Sequence, residues 1–224
     1  MKKWEFTGEE NIEYGIRLKQ IRAKIGFTLK YGIKIEVGEE GGWIEKEENL
    51  SDNAWVSGDA RVFGNARVSD NAWVSGDARV FGNARVFDNA WVSGNAWVFG
   101  DARVFGDARV SDNARVFGDA RVSGNAWVFG DARVFGDAWV SGDAHYFQIG
   151  PVGSRNDYTT FMRDKTGTIY VSCGCFYGTI DQFRERVKQT HGDNKHAKVY
   201  LAAADLVELQ FDTTSIEDES PKEK

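Results

Sequence analysis

Cysteine is almost absent from this sequence. Cys173 and Cys175 are the only two in 224 residues, so no disulfide framework organises the fold. Histidine is nearly as scarce, with three residues, and proline is limited to two. No run approaches the ~20 consecutive apolar residues of a membrane span. The opening "MKKWEFTGEE" carries two lysines but lacks the apolar stretch of a secretory signal. The expectation is a soluble protein of the cytoplasm with no membrane partner. An excess of positive charge is also missing. The net charge is −6 and the isoelectric point about 5.2, which argues against a long nucleic acid as partner, because phosphate affinity needs a basic face.

What is there instead is one phrase. "AWVSGDARVFGNARVSDNAWVSGD" (residues 54–77) is the start of fifteen six-residue units that run without insertion from Ala54 to Asp143. Each reads Ala, Arg or Trp, Val, Ser or Phe, Gly or Asp, Asn or Asp. The register extends to "GWIEKE" and "ENLSDN" before the units and to "AHYFQI" after them, which gives eighteen units over residues 42–149. Side chains alternate along an extended strand, so Ala and Val point inward while Arg/Trp and Ser/Phe point outward. The last two positions hold residues that tolerate turns and positive φ. Each unit is therefore a short strand plus a corner, the signature of a parallel β-helix. Three units per coil give about six triangular coils, stacked at ~4.8 Å.

A second period supports three sides. Every eighteenth residue from Phe63 is Phe: Phe81, Phe99, Phe117, Phe135. Another outward row reads Trp55, Trp73, Trp91, Arg109, Trp127, and a third reads Arg67, Arg85, Arg103, Arg121, Trp139. A plain six-residue repeat does not sort Phe and Trp onto separate faces. The narrow Ala–Val interior leaves no room for a ligand, so any site belongs on an outer face or on the end domains.

Val followed four residues later by Ala resembles the motif of the hexapeptide-repeat, left-handed parallel β-helix superfamily, and the resemblance covers residues 42–149. The left hand is what this resemblance implies. "GEEGGWIEKEENLS" (38–51) is similar to the lead-in of a group of phage and bacterial repeat proteins. The stretch 153–206, which begins "GSRNDYTTFMRDKTGTIYVSCGCFYGT", is similar to a tail module of that phage group, which would put the protein in the host cell cytoplasm. The superfamily commonly forms trimers of parallel prisms, and its enzymes are acyltransferases that use a His near a loop breaking the coils.

The flanks are read as covers for the open strand edges of the coils. Residues 1–41 predict an N-terminal β cap of two or three short antiparallel strands broken at Gly32. Residues 150–211 predict a small α+β domain: a hairpin turning at Lys165-Thr166-Gly167, then two helices. Thr179 is a good N-cap for the first helix, and Gln182 completes a capping box. Residues 212–224 read as a disordered acidic tail. The fold class is thus mainly β, a β-helix with an N-terminal β cap and a C-terminal α+β domain.

Chemistry is sparse. No loop and no His interrupt Ala54 to Asp143, so an acyltransferase ranks third among the functions, and His145 reads as a cap on the Trp row. Cys173, Cys175, His191 and His196 offer a zinc alternative, but Cys-Gly-Cys lacks the usual two-residue spacing, and a same-side pair packing under the helices explains it better. A thiol nucleophile at Cys175 ranks lower still. The corner Asp and Asn rows read as turn formers, not calcium ligands. The expectation is no catalytic residue, no metal and no cofactor.

Three readings of the outer ladders stand side by side: self-stacking, an oligomer interface along Phe63–Phe135, and a binding surface. "GPVGSRND" (150–157) is either a phosphate-holding loop or a linker. The sequence points to a non-enzymatic homo-oligomer, with a trimer favoured, that binds a small anionic, nucleotide-type ligand through Ser154, Arg155, Asn156, Arg163 and Thr179. Such binding would serve to sequester an immune signal. The alternative is a structural scaffold without ligand.

Overall fold

The computed structural model describes residues 2–51, 53–136, 138–141, 146–154, 156–163 and 167–211. The chain opens with a long hairpin, β1 (Trp4–Glu13) and β2 (Ile16–Ala23), turning at Tyr14-Gly15, both at positive φ. It is one long ribbon, where short strands were expected, because Trp4, Ile21 and Ala23 form a buried face that joins the solenoid core. The short strands β3 (Phe27–Thr28) and β4 (Lys34–Ile35) pair beside it, with Gly32 in the turn between them. β2 then pairs antiparallel with β5 (Glu40–Ile44). β5 in turn pairs in parallel with Arg61–Val62 of the repeat, so the cap is continuous with one row of rungs.

Each repeat unit supplies a strand of two or three residues beginning at its Arg or Trp, from β6 (Trp55–Val56) to β20 (Trp139–Ser141). Strands eighteen residues apart pair in parallel, as in Arg67↔Arg85 and Val68↔Val86. Three rows result, running through Trp55, Arg67 and Arg61, and they form a β-solenoid of about five turns. The rungs are short because a corner follows each Val. Gly58, Gly76 and Gly94 take φ of 64–69° there, and Asp70, Asp88 and Asp112 take about 60° at the equivalent place. That conformation is strained for an L-residue, and here the Asp carboxylate offsets the strain with a hydrogen bond. Asp88 Oδ2 accepts from the Gly106 amide at 3.0 Å, one turn on, and Asp112 Oδ2 from the Gly130 amide at 3.0 Å. The inward side is uniform: the Val side chains from Val56 to Val134 and the Ala side chains from Ala60 to Ala132 are fully buried.

The final expected unit does not add a rung at its described residues, 146–149. β21 (Tyr146–Val152) pairs antiparallel with β22 (Asp157–Arg163) and starts a separate sheet. The reason is local. Tyr146 stands in the Val position, and Gln148-Ile149 occupy the two corner positions where the repeat has Gly or Asp then Asn or Asp, so the chain runs straight on. β23 (Ile169–Cys173) and β24 (Phe176–Thr179) complete an antiparallel sheet of four strands where a lone hairpin was expected. Helices α1 (Ile180–His191) and α2 (Lys195–Phe211) pack on it through Phe161, Val171, Phe183, Tyr200 and Val207. Thr179 Oγ1 accepts from the Gln182 amide, and the Gln182 side chain accepts from the Thr179 amide at 2.9 Å, so both halves of the capping box are made. Lys165, Thr166 and residues 212–224 lie outside the described residues.

The outward rows are ladders. Phe63, Phe81, Phe99, Phe117 and Phe135 stack with centroids 4.9–5.1 Å apart and planes within 4°. Phe63 is buried, and the rest of the stack is half-buried against itself. Trp73 and Trp91 stack at 4.8 Å. Trp55, expected on the outer row, is fully buried because Phe27 of the cap stands edge-on to it at 5.8 Å. Trp127 is the exposed member, at 55%. The ladders carry a further rule. Each of Trp73, Trp91 and Trp139 donates its indole N–H to a Ser sixteen residues earlier, Ser57, Ser75 and Ser123, at 2.8–3.0 Å.

Candidate functional site

The end module holds the site. α1 presents Phe183, Arg186, Val187 and Thr190 on one side, the spacing that lines up a helical face. Opposite them lie Ser154, from the loop after β21, and Cys173, Cys175 and Phe176, from the turn between β23 and β24. His191 at the end of α1 and Tyr200 of α2 close the ring. Together they enclose a cavity of about 280 Å3.

Tyr200 fixes the geometry. Its ring is 3% exposed and lies 5.8 Å edge-on from Phe183 and 5.7 Å from the His191 ring. Its hydroxyl lies against Ser154 and the Cys173 thiol. Burial and the Cys173 thiol both push the Tyr200 hydroxyl above its ordinary pKa, and hydrogen bonds with Ser154 oppose them. The loop "GPVGSRND" comes this close because of Gly153. A Cβ there would collide with the Tyr200 hydroxyl, and its φ is 72°.

Walls and rim differ in chemistry. Phe176, Phe183 and Val187 give apolar and flat surface, while Ser154, Thr190, Arg186 and His191 give polar groups. Arg186 is exposed and makes no ion pair among the described residues. Its neighbour Arg184 is engaged elsewhere, with Asp205 at 2.6 Å and Glu208 at 2.7 Å, which ties α1 to α2. An apolar cleft with a few convergent polar groups and a free guanidinium is equipped to hold a compact, partly flat anion.

Of the five ligand-binding residues expected from sequence, only Ser154 lines this cavity. Asn156 is exposed, with φ 49°. Arg163 faces another surface, beside Gly167, Ile169 and Asp205, and donates to the Phe211 carbonyl at 3.1 Å. Thr179 is engaged in the helix cap. Arg155 and His145 lie outside the described residues. Cys173 and Cys175 do not form a same-side pair on one strand: Cys173 ends β23, half-buried and accepting from Thr159 Oγ1 at 3.3 Å, while Cys175 is exposed in the turn. Gly174 at φ 61° makes that turn. The His191 and His196 rings are 6.0 Å apart. Among the described residues no three His, Cys, Asp or Glu side chains converge to hold a metal ion, and no helix is long and apolar enough to cross a membrane. Sequence reading missed Arg186, His191 and Tyr200 as pocket residues. The one available signal was Phe183, Arg186, Val187 and Thr190 on a single helical face.

The repeat matches the family model of the YdcK β-solenoid repeat at residues 60–76, 78–94, 108–124 and 114–129. No curated protein matches the chain. The matched units and the parallel rungs that they form make the chain a β-helix repeat protein.

Proposed function

We propose that this chain is a non-catalytic binding protein, in which a rigid β-helix carries an end module that holds a compact, nucleotide-type anion. Arg186 carries the reading. It stands at a cavity of about 280 Å3 beside the rings of Phe176, Phe183 and Tyr200, with its charge unpaired among the described residues. A flat base packs among the rings while a phosphate meets the guanidinium and the Ser154 and Thr190 hydroxyls. No metal or cofactor enters this reading.

The same proposal includes a left hand for the solenoid, supported by the superfamily resemblance of the repeat. It also includes a homotrimer whose contacts run along the Phe63–Phe135 stripe, because a contiguous apolar stripe is commonly an interface. The resemblance of the lead-in and tail module supports a phage product in the host cytoplasm that sequesters a nucleotide immune signal.

Three measurements test this. Full-length protein is heat-denatured and the released small molecules are identified by mass spectrometry. Calorimetry then compares cyclic nucleotides and ADP-ribose derivatives against wild type and Arg186→Ala. Binding at micromolar strength that weakens at least about tenfold in the variant supports the site. If nothing is released and nothing binds better than millimolar, the scaffold reading replaces it. For the trimer, light scattering of wild type should give three chains and Phe99→Ser with Phe117→Ser a smaller species; a wild-type monomer rejects it.

A further inference from the structure

The three solenoid faces treat their arginines differently. On the face that carries the Arg61 row, Glu13 at the hairpin tip pairs with Arg61 at 2.6 Å and Arg79 at 2.7 Å. Further along that face, Trp97 lies between Arg79 and Arg115, at 5.5 and 5.1 Å. On the Trp55 row, Arg109 lies over Trp91 at 5.8 Å. The third face has such relief at one end only. Arg67, Arg85, Arg103 and Arg121 follow one another on paired rungs and are all exposed. None of the four makes an ion pair among the described residues; only Arg121 has a ring partner, Trp139 at 5.9 Å.

These four arginines line a groove of about 360 Å3. Its other wall is the corner row Asn65, Asn83, Asp101 and Asp119. Three members of that wall are linked in series. Lys46 Nζ donates to Asn65, Asn65 to Asn83 at 3.3 Å, and Asn83 to the Asp101 carboxylate at 3.1 Å. The Asp101 charge is therefore turned to an amide and not to the guanidinium row. Four arginines against two aspartates leave the groove positive on a protein of net charge −6.

We infer that this groove is a binding site for a linear acidic polysaccharide, a chain of uronic acids with one carboxylate per sugar. Charge and hydroxyl chemistry make the choice. Guanidinium groups recur once per rung, ~4.8 Å apart. A 1,4-linked uronate chain brings a carboxylate and several hydroxyl groups with every sugar, the groups that guanidinium and amide side chains recognise. Phosphates of duplex DNA recur every ~3.4 Å along each strand and fall out of step. An extended acidic peptide turns its carboxylates to alternate sides and brings no row of hydroxyl groups for the amides. Single-stranded nucleic acid needs aromatic platforms for its bases, and this groove is lined by Arg, Asn and Asp alone. Those side chains suit a hydroxyl-rich ligand: each guanidinium takes a carboxylate in bidentate fashion, and the amide row takes ring hydroxyls.

The test uses full-length protein and galacturonate oligomers of two to eight residues, with calorimetry as readout. Affinity should rise with length until the oligomer spans the four arginines and then flatten. The fully methyl-esterified oligomers, neutral but of the same shape, should not bind. Arg85→Gln with Arg103→Gln should weaken binding at least about tenfold, while Arg115→Gln with Arg133→Gln, exposed on another face, leaves it unchanged. Arg186→Ala also leaves it unchanged, which separates this site from the end-module cavity. Equal binding of the methyl esters, or an Arg85/Arg103 variant that binds as wild type, overturns the proposal. So does tighter binding of polyphosphate or single-stranded DNA of matched charge.

Discussion

Phe135 and Tyr177 touch across the junction between solenoid and end module, with ring centroids 4.2 Å apart. Tyr177 in turn stacks on Tyr170 at 5.7 Å and 10°. The Phe ladder therefore does not stop at the last turn but runs on into the end sheet. This contact fastens the module to the rod. Tyr177→Ala should cost about 2 kcal/mol, the packing area plus the aromatic pair. Denaturant unfolding should then separate into two transitions, the module melting first. A single transition at the wild-type midpoint would show that other contacts hold the junction.

The corners separate glycine from other small residues. A Cβ on Gly94 would stand 2.8 Å from the Asp112 amide nitrogen, at φ 64°. Gly94→Ala combines left-handed strain with a backbone clash, roughly 2–3 kcal/mol. Gly94→Asp should be milder by about 1 kcal/mol, because its carboxylate accepts from the next corner amide as Asp88 and Asp112 do. Equal destabilisation of the two variants would remove the hydrogen-bond explanation for the aspartate corners.

Glu13 bridges Arg61 and Arg79, and all three side chains are no more than 21% exposed. Glu13→Gln leaves two cations together without their acid. The expected loss is about 2–3 kcal/mol, larger than any surface pair would give, and native-state hydrogen exchange should show it first in β1 and β2. A loss below about 0.5 kcal/mol would mean that the hairpin is held by its apolar face alone.

Tyr200 sets an alkaline limit. Its folded pKa is raised, chiefly by burial and then by Cys173. The neutral hydroxyl is thus the form that the fold accommodates. Its stabilising contribution is complete below the unfolded tyrosine pKa, about 10, and is lost as pH rises through the higher folded value. Ultraviolet titration should show one late-ionising tyrosine that is missing from Tyr200→Phe, and the same variant should flatten the alkaline fall in stability. A Tyr200→Phe variant with an unchanged alkaline fall would shift the cause to another group.

The sequence by itself determined the rod. Six-residue units and eighteen-residue rows were legible because every turn repeats one local solution: a strand of Arg/Trp-Val, a small inward Ala, and a corner residue that accepts positive φ. Rung pairing, the inward Ala–Val core and the Phe stack all derive from that period. The start of α1 was legible for a similar reason, since Thr179 and Gln182 act within one turn. Tertiary structure alone decided the rest. The cavity draws Ser154, Cys173, Arg186 and Tyr200 from a loop, a sheet turn and two helices, and no period relates them. Whether an arginine is neutralised was equally hidden. Arg61 and Arg79 read the same as Arg67 and Arg85 in sequence, yet only the first pair meets Glu13, because β2 joins β5 and carries the hairpin tip over that face. Local repetition fixes which side chains stack; only the path of the flanking chain fixes which of them are covered.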